Sequence, residues 1–319
     1  MCAVTASSLV HTVDTARARR FAVRGAVSAP IKKVHLGELG IDRQSFLMRL
    51  APTFYNLSFD AYDPALAAEE YVRTAFRDVY SANEKSWLML WNELSERHFG
   101  DALAGPAYWS SLVSSEAQSV LLAIRPYRRR SCFQYHAKPD STPFRWHLRE
   151  VGTPTFTQAV TDARARPRRF ESAHPAVYRD PDVLLLIAMV CELIRQMPSV
   201  VASSFKVTLH QMLTYATAAT GSKPAPEGTH QDGSPFILSA LVIERQNITG
   251  GVSSVYYTKR EALAFRSELQ PGEGILQSDR HHALWHGVSP IFAVDATKTA
   301  FRSIIGLDID FLDIDARFK

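Results

Sequence analysis

From residue 236 to residue 311 the chain is a succession of short apolar segments separated by turn residues. Five stand out, at 236–243, 252–258, 274–277, 283–288 and 300–311. Short strands punctuated by Gly and Pro are the pattern of a sandwich or jelly roll. A jelly roll that opens at one end brings together residues from strand ends that lie far apart in sequence. Any chemistry in this half of the chain is therefore expected at such an end.

One motif sits where such a site belongs. Thr229-His230-Gln231-Asp232-Gly233 falls between a loosely alternating run at 205–213 and the strand-like segment at 236–243. Pro224, Pro226, Gly228 and Gly233 bracket it and mark a loop. It is the only His-X-Asp among 11 histidines, and no His-X-Glu competes with it. With a distant histidine, His230 and Asp232 complete the two-His-one-carboxylate set. That set holds a non-haem Fe(II) by one face and leaves positions open for O2 and a co-substrate. The competing reading is a surface loop whose His and Asp merely cap a strand. His286 is the expected third ligand, because Leu284-Trp285-His286 reads as a returning strand and a ligand belongs on a rigid element. His281 and His282 read as solvated turn residues.

The order and spacing of several blocks carry a resemblance. These are Pro226–Gly233, Arg245-Gln246-Asn247-Ile248-Thr249-Gly250-Gly251-Val252-Ser253, Gly272-Glu273-Gly274, His286-Gly287-Val288-Ser289-Pro290 and Arg302. Together they resemble the small 2-oxoglutarate/Fe(II) dioxygenases typified by L-isoleucine 4-hydroxylase. The likeness is strong over residues 224–311 and weaker upstream, where Tyr127-Arg128-Arg129-Arg130-Ser131-Cys132-Phe133 resembles an arginine-rich strand of the family. It does not cover roughly the first 90 residues.

The resemblance implies a double-stranded β-helix (jelly roll, cupin-like) fold with Fe(II), 2-oxoglutarate and O2. It implies His230, Asp232 and His286 as metal ligands. Hydrogen removal from an unactivated C–H bond of a small free amino acid or derivative is the expected reaction, with hydroxylation as its outcome. Arg302 lies on the last apolar strand, and its planar fork suits the distal carboxylate of 2-oxoglutarate. Ser303 is a candidate helper. Arg245 could read a substrate carboxylate and Asn247 a substrate amino group, although Asn-X-X-Gly-Gly is also ordinary turn chemistry. Glu227 and Gln231 flank the ligands and could orient the imidazoles. Asp232 disfavours halogenation, which needs that position vacated. The resemblance extends, less closely, to enzymes that close a nitrocyclopropane on a nitro-lysine derivative in hormaomycin- or belactosin-type biosynthesis. A different class remains open: a non-oxidative cupin-like metal-binding protein, for which Glu227 is the only obvious general base.

The rest of the chain sets bounds. Three cysteines without paired spacing argue against a disulfide scaffold and for a reducing, cytoplasmic setting. The longest strongly apolar run, 183–191, is too short to span a bilayer. The net charge of +4 and the two short arginine clusters at 128–130 and 164–169 lack the aromatic interleaving of a nucleic-acid surface. The expected partner is a small molecule, with no nucleic acid and no membrane.

Helical periodicity appears at 44–55, 64–80, 84–97, 109–124 and 182–196. The expected class is α+β: residues 1–35 a flexible tail, 36–95 a helical extension and 96–319 the jelly-roll oxygenase domain. Two roles are open for the extension, a lid over the site or a homodimer interface.

Overall fold

The computed structural model describes residues 9–16, 31–96, 102–153, 155, 166–216, 221–258, 261–280 and 284–312. His281, His282 and Ala283 lie outside the described residues.

The chain begins with strands β1 (Val10–Asp14) and β2 (Ile31–His35). Helices α1 (Arg43–Leu50), α2 (Tyr62–Ala75), α3 (Arg77–Glu96), α4 (Ala104–Ser110) and α5 (Ser115–Ala123) follow. Then come strands β3 (Arg128–Pro139), β4 (Arg145–Gly152) and β5 (Glu171–Ser172), and helices α6 (Pro175–Tyr178) and α7 (Pro181–Arg195). Among the described residues the remaining elements are strands: β6 (Phe205–Tyr215), β7 (Phe236–Gln246), β8 (Ile248–Gly250), β9 (Ser253–Tyr256), β10 (Leu263–Ser267), β11 (Glu273–Ser278), β12 (Trp285–Val288), β13 (Ile291–Ala293) and β14 (Phe301–Phe311).

The large sheet runs β1-β4-β3-β6-β14-β7-β11-β2, with β5 added in parallel to β3. A smaller sheet, β10-β9-β12, and a ribbon, β13-β8, accompany it. The period of two sorts the large sheet's side chains. Leu209 and Leu213 of β6 and Ile305, Leu307 and Ile309 of β14 join Leu186, Ile187 and Val190 of α7 in the main core. On the opposite face Ile304, Val242, Ala240 and Ile275 pack with Val255 of β9 and Leu284, which joins the two sheets into a sandwich. The architecture is α+β, a jelly roll with helices on its outer face.

Helix α7 is apolar almost all round, as a helix buried between a sheet and other elements must be. Asp180 caps it by accepting from the amides of Asp182 and Val183, and Pro181 opens its first turn. Helices α2 to α5 build a second cluster around Trp87, Trp91 and Trp109. Trp87 meets Trp91 edge-on at 5.5 Å and Trp109 at 5.4 Å. Arg128 of β3 joins this helical layer to the sheet. Its Nε is 2.5 Å from Asp63 and its Nη2 3.3 Å from Asp60, all three side chains buried.

Three expectations need correction. Residues 10–14 and 31–35, expected in a flexible tail, are strands at the two edges of the large sheet. Val34 is fully buried, so its segment gains from pairing what an isolated tail would lack. The helices expected at 64–80 and 84–97 break instead at Phe76, whose φ of −136° and ψ of 56° end α2. Tyr80 then falls inside α3, where it stacks on Trp109 at 5.6 Å and donates to Glu69. The helix expected at 109–124 is two helices, because Ser114 turns out of helical geometry and starts α5 anew.

Candidate metal centre

The loop between β6 and β7 delivers two of the expected ligands. His230 forms a bridge with His286 of β12, exchanging backbone hydrogen bonds of 2.8 and 2.9 Å. The His-X-Asp segment thus adds to the free edge of the small sheet, since β12 pairs with β9 on its other side. Asp232 follows two residues later, the spacing that returns a side chain to the same face.

The three side chains converge. His230 Nε2 is 3.4 Å from Asp232 Oδ1, and His286 Nε2 is 3.4 Å from Asp232 Oδ2. One ligand atom from each residue lies within 4.8 Å of the others, the only such group of three among the described residues. The imidazole centroids are 4.3 Å apart. His230 Nδ1 donates to the Gly228 carbonyl at 2.8 Å, which leaves the Nε2 lone pair facing inward. Two neutral imidazoles and one carboxylate with inward lone pairs are a donor set suited to Fe(II).

Without a metal ion the three groups compensate one another's charge. Burial alone would raise the Asp232 carboxyl, but His286 and His230 overcome it and hold the group well below its usual range. Burial would lower His286, yet Asp232 and then Asp279 raise its imidazole to about 10, so without a metal ion its Nε2 carries a proton that a bound cation would displace.

Asp279 was not read from the sequence as a site residue. It opens the turn after β11, is fully buried, and puts Oδ1 3.6 Å from His286 Nδ1. Its Oδ2 accepts from the Gly233 amide at 2.8 Å, which ties the loop carrying Asp232 to the same carboxylate. An acid in a polar turn has no sequence signal that distinguishes this position from a solvated one.

Arg302 lies on β14 between Thr214 of β6 and Arg245 of β7. It lines the same pocket as the triad and is 3% exposed. Its Nε and Nη2 are buried without a hydrogen-bond partner. Burial, then the neighbouring Arg245 cation, lowers its guanidinium to about 10. Arg245 itself donates to the Gly250 carbonyl at 2.8 Å and pairs with Glu268 at 3.0 Å. Gly251 has φ of 67°, and a Cβ there would sit 3.1 Å from Arg245 Nη1 and 3.4 Å from Arg302 Cδ. The glycine is what lets this turn close over the two arginines.

The remaining expected residues divide. Glu227 lines the pocket with the triad. Ser303 does not: it follows Arg302 on the strand, faces the opposite side of the sheet, and is fully buried. Asn247 is turned to a structural task. Its side-chain amide donates to the Asp295 carbonyl at 2.8 Å while its carbonyl accepts from the Asp295 amide at 3.0 Å. Its φ of 51° is the left-handed geometry Asn tolerates in turns. Gln231 donates to the Leu284 carbonyl at 3.0 Å. His210 and Asp308, unread in the sequence, also line the pocket and meet at 3.0 Å between Nε2 and Oδ2. The period-two pattern of the 205–213 run places His210 with Met212 on the pocket face, a signal that was there to find.

Comparison with known proteins agrees with this architecture. A family model described as 2OG-Fe dioxygenase matches residues 109–308. The solved structure of IDO from Bacillus thuringiensis is similar at a TM-score of 0.58 and 14% identity, covering 93% of this chain and 100% of that one. A bsmA homolog from Methylobium petroleophilum is similar at 0.59 and 17%, covering 93% and 95% respectively. These likenesses establish the fold. No curated protein matches the chain. Among the described residues no helix is long and apolar enough to cross a membrane.

Proposed function

The chain belongs to the 2OG-Fe dioxygenase family, an oxidoreductase family that uses Fe(II), 2-oxoglutarate and O2, and from that premise we propose that it hydroxylates a C–H bond of an amino acid or amino-acid derivative. His230, Asp232 and His286 hold the Fe(II). Arg302 receives the distal carboxylate of 2-oxoglutarate. When bound, the Fe(II) would activate O2, one oxygen atom going to succinate as 2-oxoglutarate is oxidised with loss of CO2 and the other going to the substrate.

The protein's own contribution is placement. His230 presents Nε2 because the Gly228 carbonyl holds its Nδ1 proton. Asp232 remains ionised because two imidazoles face it. The observation that carries the reading is Arg302: a buried cation facing the triad's pocket, with no carboxylate of the described residues within ion-pair distance. A buried charge needs a partner, and a dianionic co-substrate provides one. The pocket also carries charged groups of both signs, Arg130, Arg168, Glu227 and Asp308, which suits a polar substrate bearing a carboxylate.

The test is succinate formation from 2-oxoglutarate with Fe(II) and O2 across a panel of amino acids and derivatives. Substrate-stimulated succinate that disappears in His230→Ala, with a product that gains one oxygen atom, is the expected result. A product that loses two hydrogens would replace hydroxylation by ring closure or desaturation. Failure of the wild-type protein to bind Fe(II) and 2-oxoglutarate would overturn the assignment.

A further inference from the structure

The first of the two short arginine clusters, 128–130, meets the described part of the second, 166–169, in the fold. Arg130 stands on β3, and Arg168 lies in the segment leading to β5, which pairs with β3 at Ser131 and Glu171. Phe170 sits between them: the Arg130 guanidinium carbon is 4.4 Å from its ring centroid and that of Arg168 is 5.9 Å away. Arg168 also lies over Tyr62 at 4.4 Å and is 5% exposed. Aromatic faces on both sides fix where these planar cations point.

Their position is what matters. Both arginines line the pocket of the His230–Asp232–His286 triad, which has a volume of about 110 Å³. Both also line a larger cavity of about 710 Å³ between the helical layer and the sheet. That cavity contains Phe59, Tyr62, Trp91 and Phe170, and is basic on balance, with five arginines against Asp60 and Glu171. Arg129 and Arg125 are turned to backbone carbonyls, at Leu57 and Ile124 respectively. Arg130 and Arg168 are the arginines shared by the two spaces. Burial, then the proximity of Arg130, lowers the Arg168 guanidinium against the opposing effect of Tyr62, Asp60 and Glu227.

We propose that Arg130 and Arg168 form the carboxylate-binding subsite for the oxidised substrate, and that this substrate carries an aromatic or acyl body that occupies the larger cavity. The substrate class is thus an N-acylated or otherwise extended amino acid rather than a small free one. This rests on the reading of the triad as the oxidising centre. The guanidinium pair takes the acid group at the junction, the body lies against Trp91 and Phe59, and the near end reaches the triad.

Calorimetric titration of the full chain loaded with Mn(II) and 2-oxoglutarate tests this. The probes are N-phenylacetylglycine, its primary amide, and glycine. The acid should bind about ten-fold or more tightly than the amide, the value of a charge-assisted hydrogen bond, and glycine should bind more weakly than either. R130Q and R168Q should each abolish the preference for acid over amide. Circular dichroism and the melting transition establish that each variant is folded; should R168Q fail to fold, the less buried R130Q carries the test alone. Equal binding of acid and amide, no binding of the acid, or a preference unchanged in a folded variant would overturn the subsite. Glycine binding as tightly as the acylated probe would overturn the role of the larger cavity. If the wild-type protein failed to bind 2-oxoglutarate with Mn(II), the oxygenase reading would fall first; if 2-oxoglutarate binds and the acid does not, only the subsite falls.

Discussion

Asp279 stands behind His286, its Oδ1 3.6 Å from the imidazole Nδ1, on the side away from Asp232, whose Oδ2 is 3.4 Å from Nε2. The histidine is thereby held between two carboxylates. One shares its inward face and the other fixes its ring from outside.

Asp279→Asn keeps the shape and removes the charge. We expect it to weaken metal binding by about 10- to 100-fold, the usual effect of removing a group that orients a metal-bound histidine. Competitive titration with Co(II) reads this directly. A value unchanged from wild type would mean that the packing of β12 alone orients His286.

Arg302→Met separates stability from function. A buried cation without a carboxylate partner is a burden on the ligand-free fold, and an apolar side chain of similar volume is neutral or stabilising by about 1–4 kcal/mol. The variant should therefore melt no lower than wild type. Its affinity for 2-oxoglutarate should nevertheless fall by about 100-fold, near 3 kcal/mol. Differential scanning fluorimetry with and without 2-oxoglutarate measures both effects, and a lower ligand-free melting temperature would contradict the first.

Arg128→Met should do the opposite. Arg128, Asp60 and Asp63 are all buried, and removing the cation leaves two carboxylates facing each other. Burial, offset by Arg128, already raises the Asp63 carboxyl to about 7. Breaking a buried pair from one side costs about 3–5 kcal/mol. Urea denaturation should show that loss, with most of it recovered when Asp60→Asn and Asp63→Asn are added.

Glu150 gives a pH-dependent term. Arg179 first, and His11 after it, lower its carboxyl below the usual value, against the opposing effect of burial. A lowered folded-state pKa means stability that is present above pH 4.5 and lost as the pH falls through the folded value. Arg179 is half exposed, so screening limits the term to about 1 kcal/mol or less. The stability gap between wild type and Glu150→Gln should shrink as the pH is lowered from about 6 to about 3. A gap independent of pH would show that the Glu150 charge is not what stabilises.

Much of the fold was legible because its signals are local. The five C-terminal segments and helix α7 each carry an apolar period or a cap that specifies the element by itself. The breaks at Phe76 and Ser114 were not legible, because they follow from where Tyr80 and the tryptophans must pack. The edge strands at 10–14 and 31–35 were missed for a related reason: a five-residue strand has little signal until a neighbour supplies its hydrogen bonds.

By itself, the sequence determined the chemistry on offer: one His-X-Asp motif, a later histidine on a returning strand, and an arginine inside an apolar strand. It determined these because residue type and period-two spacing are properties of a single segment. Only the tertiary structure decided which residues share a space. It set Asp279 against His286, turned Asn247 to its own turn and Ser303 to the far face, and brought Arg130 and Arg168 together from clusters nearly forty residues apart. Such relationships depend on sheet order and on which face a strand presents, and no local pattern encodes the register of a distant partner.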